Sequence, residues 1–245
     1  MFWWILLWVF LGIIGVILAY ILLIIISSLL VNTKKEYDKE SKYYRFLLNN
    51  STFWMTKVLR IKLHVSGAER LPEGRFLLVS NHRSKFDPIL TWLVFRDRQL
   101  SFISKPENFK VPFYGRIIHR LCFMAIDREN PRNAVKTINR AVDLIGRDVA
   151  NVAVYPEGTR NYEEGLLPFH NVMFKIAQKA NVPVAVVTVK GTYEIQKNFP
   201  LHRSHVYIDV VKTLGAEHVK ATKTAALGDE VRDLMLNNLS EGQKQ

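Results

Sequence analysis

His82 and Asp87 stand five residues apart in NHRSKFDP, residues 81–88, just past the apolar run FLLVS. A carboxylate within one turn's reach of an imidazole can hold one ring nitrogen, fix the tautomer and leave the other nitrogen to take a proton. The bland reading of the same residues is a strand-to-helix turn. Asp87 ahead of Pro88 is a good helix N-cap, and the pre-proline position disfavours α geometry as a cap requires. The two roles are compatible, since a carboxylate has two oxygens. Farther along, YPEGTR, residues 155–160, places Glu157, Gly158, Thr159 and Arg160 behind a strand-ending proline, and IDR, residues 126–128, places Arg128 behind another apolar run. Guanidinium groups match phosphate in shape and charge. Glycine lets the backbone approach a ligand closely, and Thr159 can donate a hydrogen bond. Glu157, amid so much positive charge, is either an ion-pair partner that orders its loop or a contact to a substrate hydroxyl.

A base needs something to act on. The chain has no G-x-S-x-G elbow for a serine nucleophile, no phosphate-cradling G-x-x-x-x-G-K-[ST] loop and no G-x-G-x-x-G. Its one cysteine, Cys122, falls inside an apparent strand, where a buried, inert thiol is expected. His170, His202 and His205 lack companion carboxylates at ligand spacing and read as surface histidines, so no metal site is expected. The chemistry left is direct: His82 deprotonates a hydroxyl of a bound substrate, which attacks an electrophile held beside it.

Such residues must be gathered by the fold. From residue 61 onward, short apolar strands alternate with helices. The strand candidates are IKLHVSG, RFLLVS, LSFISK, CFMAID, NVAVYP, VPVAVVTV and HVYIDVV; the helix candidates are roughly 88–98, 108–120, 131–147, 170–180 and 228–239. Asp87-Pro88 and Asn130-Pro131 each mark a helix start by a capping side chain followed by proline, and Gly146 suits a helix end. This alternation implies an α/β fold with a mostly parallel central sheet flanked by helices. In such sheets, sites form beyond the carboxyl ends of the strands. Asn81-His82, Lys105, Asp127-Arg128 and Pro156–Arg160 each follow a strand, so a base, a carboxylate and several cations should gather on one edge.

The rest of the chain concerns where this domain sits. Residues 1–33 carry no Asp, Glu, Lys, Arg or His, so the net charge of +12 belongs wholly to residues 34–245. A charge-free run this long can cross a bilayer core of about 30 Å as a helix. No basic residue precedes the run and no A-x-A-like cleavage site follows it, which favours a retained transmembrane anchor over a signal peptide. Lys34 and Lys35 flank it and favour a cytosolic C-terminal side, as for a bacterial cytoplasmic membrane. Residues 34–60 then read as a charged linker and an amphipathic helix with Tyr44, Leu47, Leu48, Trp54, Met55, Val58 and Leu59 on one face, and 61–245 as the catalytic domain. That helix is read equally well as lying on the membrane or packing on the domain.

Four of these stretches, in this order and spacing, resemble the glycerolipid acyltransferases, closest to the 1-acylglycerol-3-phosphate O-acyltransferases. The family's N-H-x-S-x-x-D is met by Asn81, His82, Ser84 and Asp87; its I-D-R by Ile126, Asp127 and Arg128; its P-E-G-T-R by Pro156 through Arg160; its V-P-V by Val182, Pro183 and Val184. SKPENFKVPFYGRIIHR, residues 104–120, also resembles the family's segment between the first two motifs. The chain departs from the family pattern where His170, Asn171 and Val172 replace a basic pair and a glycine, where Val186 replaces a second proline, and where Asn161 replaces a serine. These departures bear on substrate preference more than on reaction type.

The resemblance implies transfer of a fatty acyl group from acyl-CoA or acyl carrier protein to the sn-2 hydroxyl of lysophosphatidic acid, giving phosphatidic acid. It implies His82 as general base and Asp87 as its orienting partner, Arg128 and Arg160 on the acceptor phosphate with Lys105 in support, Glu157 and Gly158 shaping the pocket, and Thr159 among the substrate-binding residues. It implies direct attack with no acyl-enzyme and no cofactor, the thioester being a substrate, and membrane lipids as partners. An acceptor such as glycerol 3-phosphate or another lysophospholipid, and hydrolysis of the thioester by water, are rivals within the same chemistry. A membrane-tethered module binding anionic lipid or nucleic acid is the rival outside it. Its basic residues would cluster or interleave with aromatics, whereas here they are scattered; no nucleic acid is expected.

Overall fold

A computed structural model describes residues 1–127 and 131–241. Its centre is a seven-stranded sheet of β1 (Ile61–Ser66), β2 (Leu77–Ser80), β3 (Leu100–Ser104), β4 (Met124–Ala125), β5 (Asn151–Val154), β6 (Val184–Lys190) and β7 (Ser204–Leu214), in the spatial order β1-β7-β6-β2-β5-β3-β4. All neighbours pair parallel except β6 and β7. The mostly parallel α/β reading therefore holds, with one antiparallel seam. The five strands β6, β2, β5, β3 and β4 run the same way, so the loops that follow them emerge along one edge.

The central strands are apolar on both faces because both faces are covered. Leu77, Val79, Val152, Val154, Val184 and Val186 point to one side, into a core closed by α5 (Pro131–Gly146), α6 (Lys175–Ala180) and α9 (Thr224–Glu241). Phe76, Leu78, Ala153, Ala185, Val187 and Val189 point to the other, against α3 (Asp87–Val94) and α4 (Tyr114–Arg120). Two short helices, α7 (Ile195–Asn198) and α8 (Ala216–Ala221), flank β7.

Three sequence expectations change. The helix expected over 108–120 is a 3-10 turn, Pro106–Lys110, followed by α4. Pro112 disfavours α geometry at Val111, and Phe113 takes a positive φ of 60°, so the helix cannot run through. The strand expected over CFMAID shrinks to the edge pair Met124–Ala125. Cys122 lies in the turn before it at φ +62°, its thiol against the Tyr37 carbonyl. It is buried as expected, and burial pushes the thiol up to about 11, away from nucleophilic use. Asn130, the expected cap of α5, lies outside the described residues, as does Arg128.

α1 (Phe2–Leu29) and α2 (Lys42–Val58) precede the sheet. α1 is long and apolar enough to cross a membrane, 28 residues that none of its neighbours bury within its most apolar window. Its C-terminal half packs on α2: the Tyr20 hydroxyl meets Ser51 Oγ at 3.1 Å, Ser27 Oγ meets the Tyr43 hydroxyl at 2.6 Å, and the Tyr44 hydroxyl donates to the Ser27 carbonyl at 2.7 Å. α2 rests on the domain through Leu47, Leu48 and Met55. The face differs from the expected one. Thr52 and Thr56 turn inward, satisfying their hydroxyls on the Leu48 and Phe53 carbonyls, while Phe46, Trp54 and Val58 are exposed. Backbone-bonded threonines are apolar enough on their methyl side to sit there, which a count of hydrophobic residues misses.

Candidate active site

His82 leaves β2 at its carboxyl end, and Asp87 opens α3. Between them the chain folds back so that His82 Nδ1 lies 2.9 Å from Asp87 Oδ2. The same oxygen accepts the main-chain N–H groups of Arg83 at 2.6 Å and Ser84 at 2.7 Å. Asp87 Oδ1 accepts the Thr192 hydroxyl at 2.5 Å. The expected cap is thus replaced. Asp87 is the first residue of α3, with Phe86 in the cap position, and its carboxylate turns back to the loop rather than on to the helix amides. Three donors converging on Oδ2 outweigh a single cap bond. Asp87 is wholly buried, and these converging donors stabilise its charge there. With Nδ1 engaged, Nε2 is the nitrogen left to act as a base.

The loop after β5 brackets His82 from both sides. Glu157 Oε1 accepts the His82 N–H at 2.7 Å and Oε2 accepts the Leu167 N–H at 2.9 Å, while the Asn161 N–H donates to the His82 carbonyl at 2.7 Å. Glu157 is 3% exposed, and burial raises its pKa above the usual carboxylate range against the opposing pull of those two amides. Each oxygen thus takes one backbone amide, so Glu157 orders the loop, and it does so through amides rather than through a cation. Replacing Glu157 by Gln should therefore destabilise the fold by about 1–3 kcal/mol, since one of the two amides then faces an NH₂ group. Urea unfolding of the pair would measure it; equal midpoints would refute the bracing.

Gly158 sits at φ +74°, a backbone region costly for any residue with a Cβ, and its N–H closes a turn onto the Tyr155 carbonyl at 3.0 Å. That turn sends Arg160 toward the cleft. His82, Lys85, Lys105, Tyr155, Gly158 and Arg160 share the wall of one open cleft of about 440 Å³. Lys105 comes from the end of β3 and Arg160 from the loop after β5, as the edge rule requires. Thr159, expected among the substrate-binding residues, is exposed and stands outside this wall. A second, apolar cavity of about 260 Å³ lies between α2 and α3, lined by Leu48, Met55, Trp92 and Phe123, and shares Pro88, Ile89 and Tyr114 with the cleft.

A base with its carboxylate partner and three cations on one cleft match the chemistry of a family whose model, "Acyltransferase", fits residues 62–190. The chain belongs to the Acyltransferase family. Among relatives, it is 26% identical over 191 residues to the 1-acyl-sn-glycerol-3-phosphate acyltransferase of Saccharomyces cerevisiae, covering 76% of this chain and 63% of that one. It is 34% identical over 136 residues to the chloroplastic 1-acyl-sn-glycerol-3-phosphate acyltransferase BAT2 of Brassica napus, where the chain spans 39% of the relative's length. Among solved structures, the 1-acyl-sn-glycerophosphate (LPA) acyltransferase PlsC from Thermotoga maritima superposes with a TM-score of 0.69 at 23% identity, over 91% of this chain and 88% of that one. That last likeness is one of fold: a mostly parallel sheet flanked by helices.

Within this acyltransferase domain, sequence reasoning missed three contributors. Tyr155 stacks on the His82 ring, centroids 4.6 Å apart and planes 29° from parallel. Asn81 ties the start of the His82 loop to β6, its side chain pairing both the N–H and the carbonyl of Val189 at 2.8 and 3.0 Å. Thr192 reaches Asp87 from the turn after β6. Carrying the strand-end rule one strand further, to Lys190-Gly191-Thr192, would have found the last of these.

Proposed function

We propose that this protein transfers a fatty acyl group from an acyl thioester to the free hydroxyl of 1-acylglycerol 3-phosphate, forming phosphatidic acid. The observation that carries the reading is the pairing of His82 Nδ1 with Asp87 on a cleft wall shared with Lys105 and Arg160. The acceptor hydroxyl approaches Nε2 and gives up its proton as its oxygen attacks the thioester carbonyl. The imidazolium so formed is stabilised by the buried Asp87 carboxylate. Collapse of the tetrahedral intermediate expels the thiolate, which takes that proton back from the imidazolium and leaves as a thiol. The main-chain N–H groups of His82, Arg83, Ser84 and Gly158 already have acceptors, so other donors must meet the oxyanion.

Lys105 and Arg160 are placed to grip the acceptor phosphate. The names of the relatives support lysophosphatidic acid as the acceptor. The apolar cavity sharing Ile89 and Tyr114 with the cleft suits the fatty chain, and its position against α2 opens it toward the bilayer that holds such chains. α1 serves as the membrane anchor, with Phe46, Trp54 and Val58 of α2 presenting further apolar surface beside it. Lys34 and Lys35 beside the anchor support a cytosolic domain.

The test is purified full-length protein in detergent with acyl-CoA or acyl carrier protein thioester, followed by free thiol release. Release that depends on lysophosphatidic acid and yields phosphatidic acid is expected. Thiol release without any acceptor would make the protein a thioesterase, and preference for glycerol 3-phosphate would reassign the acceptor.

A further inference from the structure

We infer that Thr192 is a positioning residue for the His82–Asp87 pair, its hydroxyl aiming the carboxylate so that Oδ2 meets the imidazole. Thr192 and Asp87 are both buried, at 1% and 0% exposure, and the hydroxyl reaches Asp87 Oδ1, the oxygen His82 does not use, at 2.5 Å. A carboxylate can swing about its last torsion, which is broad for aspartate. The amides of Arg83 and Ser84 pin Oδ2, but both come from the very loop that carries His82. Among the described residues, Thr192 supplies the side-chain hydrogen bond to Asp87 that comes from a different part of the sheet.

That contact is built rigidly. Gly191 precedes Thr192 at φ +82°, and a Cβ there would come within 2.1 Å of the His205 carbonyl on β7, so the turn is pressed against the neighbouring strand. Two residues back along β6, Val189 is paired on both its polar groups by Asn81, the residue before His82. The end of β6 therefore holds both halves of the pair, His82 through Asn81 and Asp87 through Thr192. A hydroxyl also suits the task chemically. It donates to an ionised carboxylate without adding a charge, where a lysine or arginine would draw the carboxylate's negative charge away from the imidazolium it must stabilise.

The kinetic part of this inference rests on the acyl transfer proposed above, so the experiment has a second readout. Full-length protein labelled with ¹⁵N-histidine in detergent is compared as unsubstituted, Thr192→Ser and Thr192→Val forms, the His82 Nδ1–H resonance being assigned by its loss in His82→Ala. The resonance is expected in the unsubstituted and serine forms and broadened away by solvent exchange in the valine form. In the same series kcat should fall about 10- to 100-fold for valine, the loss of one hydrogen bond to a charged group, and recover to within about threefold for serine, with KM for the acceptor nearly unmoved. A valine form that keeps both the resonance and kcat, or an unsubstituted protein that lacks the resonance, overturns the inference. The resonance behaving as expected in a protein that transfers no acyl group would sink the proposed function and leave the positioning intact. Should the valine form not fold, Thr192→Cys, a weak donor of the same reach, replaces it, and full retention of resonance and kcat in that form overturns the inference equally.

Discussion

Replacing His82 with alanine is expected to lower kcat for acyl transfer by about 10²–10⁴-fold, the contribution of a positioned general base, while KM for lysophosphatidic acid stays close to its starting value. The fold should survive. Asp87 loses one of four donors and keeps Arg83 N–H, Ser84 N–H and the Thr192 hydroxyl, so no buried charge is stranded. The ring's removal leaves space beside Tyr155 at a cleft wall rather than a sealed void in the core. Asp87→Asn makes an instructive companion. Two main-chain N–H groups point at Oδ2, so the asparagine carbonyl must take that place and still accepts from His82 Nδ1. The amide NH₂ then faces Thr192, whose hydroxyl turns round to accept from it, so the geometry is kept while the charge is lost, which costs the imidazolium its partner. The expected loss in kcat is about 10–100-fold, a charged hydrogen bond's worth, and smaller than for His82→Ala. Initial rates against acceptor concentration, with a thermal melt of each variant, measure both. A His82→Ala protein within threefold of full kcat would put the base elsewhere.

Much of this was legible in the chain before any coordinates. The strands declared themselves because a parallel sheet covered on both faces demands short, unbroken apolar runs, and FLLVS, NVAV and VAVV can hardly be anything else. The gathering of His82, Lys105 and Arg160 followed from one rule, that parallel strands deliver their loops to one edge. What the chain could not disclose was which oxygen of Asp87 does what. Capping α3 and bracing the loop both look like an aspartate before a proline; only the fold-back of residues 83–84 decides between them. The partners of Glu157 were hidden for a similar reason. Its neighbours in sequence are cationic and suggested an ion pair or a substrate contact, whereas its neighbours in space are the amides of His82 and Leu167. Tyr155 was illegible because a tyrosine at a strand end carries no chemistry of its own, whereas Thr192 stands where the strand-end rule reaches once it is carried past β6. They matter through the histidine and aspartate that the sheet brings to them.

Arg160→Ala should reduce kcat/KM for lysophosphatidic acid by about 10²-fold, which is what one or two charge-assisted hydrogen bonds to phosphate supply, and should leave KM for the acyl donor within about twofold. Arg160 is exposed at the cleft rim, its guanidinium 5.8 Å from the Tyr162 ring, and is therefore free to reorient onto an incoming anion. Its backbone is not free. The next residue, Asn161, is tied to the His82 carbonyl, and Glu157 three residues before it holds the His82 amide, so base and guanidinium share one frame. Gripping the phosphate there sets the distance between the acceptor's anionic end and its hydroxyl, and the benefit should show in kcat as well as in KM. Arg160→Lys keeps the charge but loses the planar fork, so an intermediate loss is expected. The decisive control is 1-acylglycerol, which has the hydroxyl but no phosphate. With that acceptor the arginine and alanine forms should turn over at the same low rate, because the interaction removed from the protein is already missing from the substrate. A variant that loses as much toward acyl-CoA as toward lysophosphatidic acid would instead place Arg160 on the phosphates of the donor, leaving Lys85 and Lys105 as the cations on this wall to hold the acceptor.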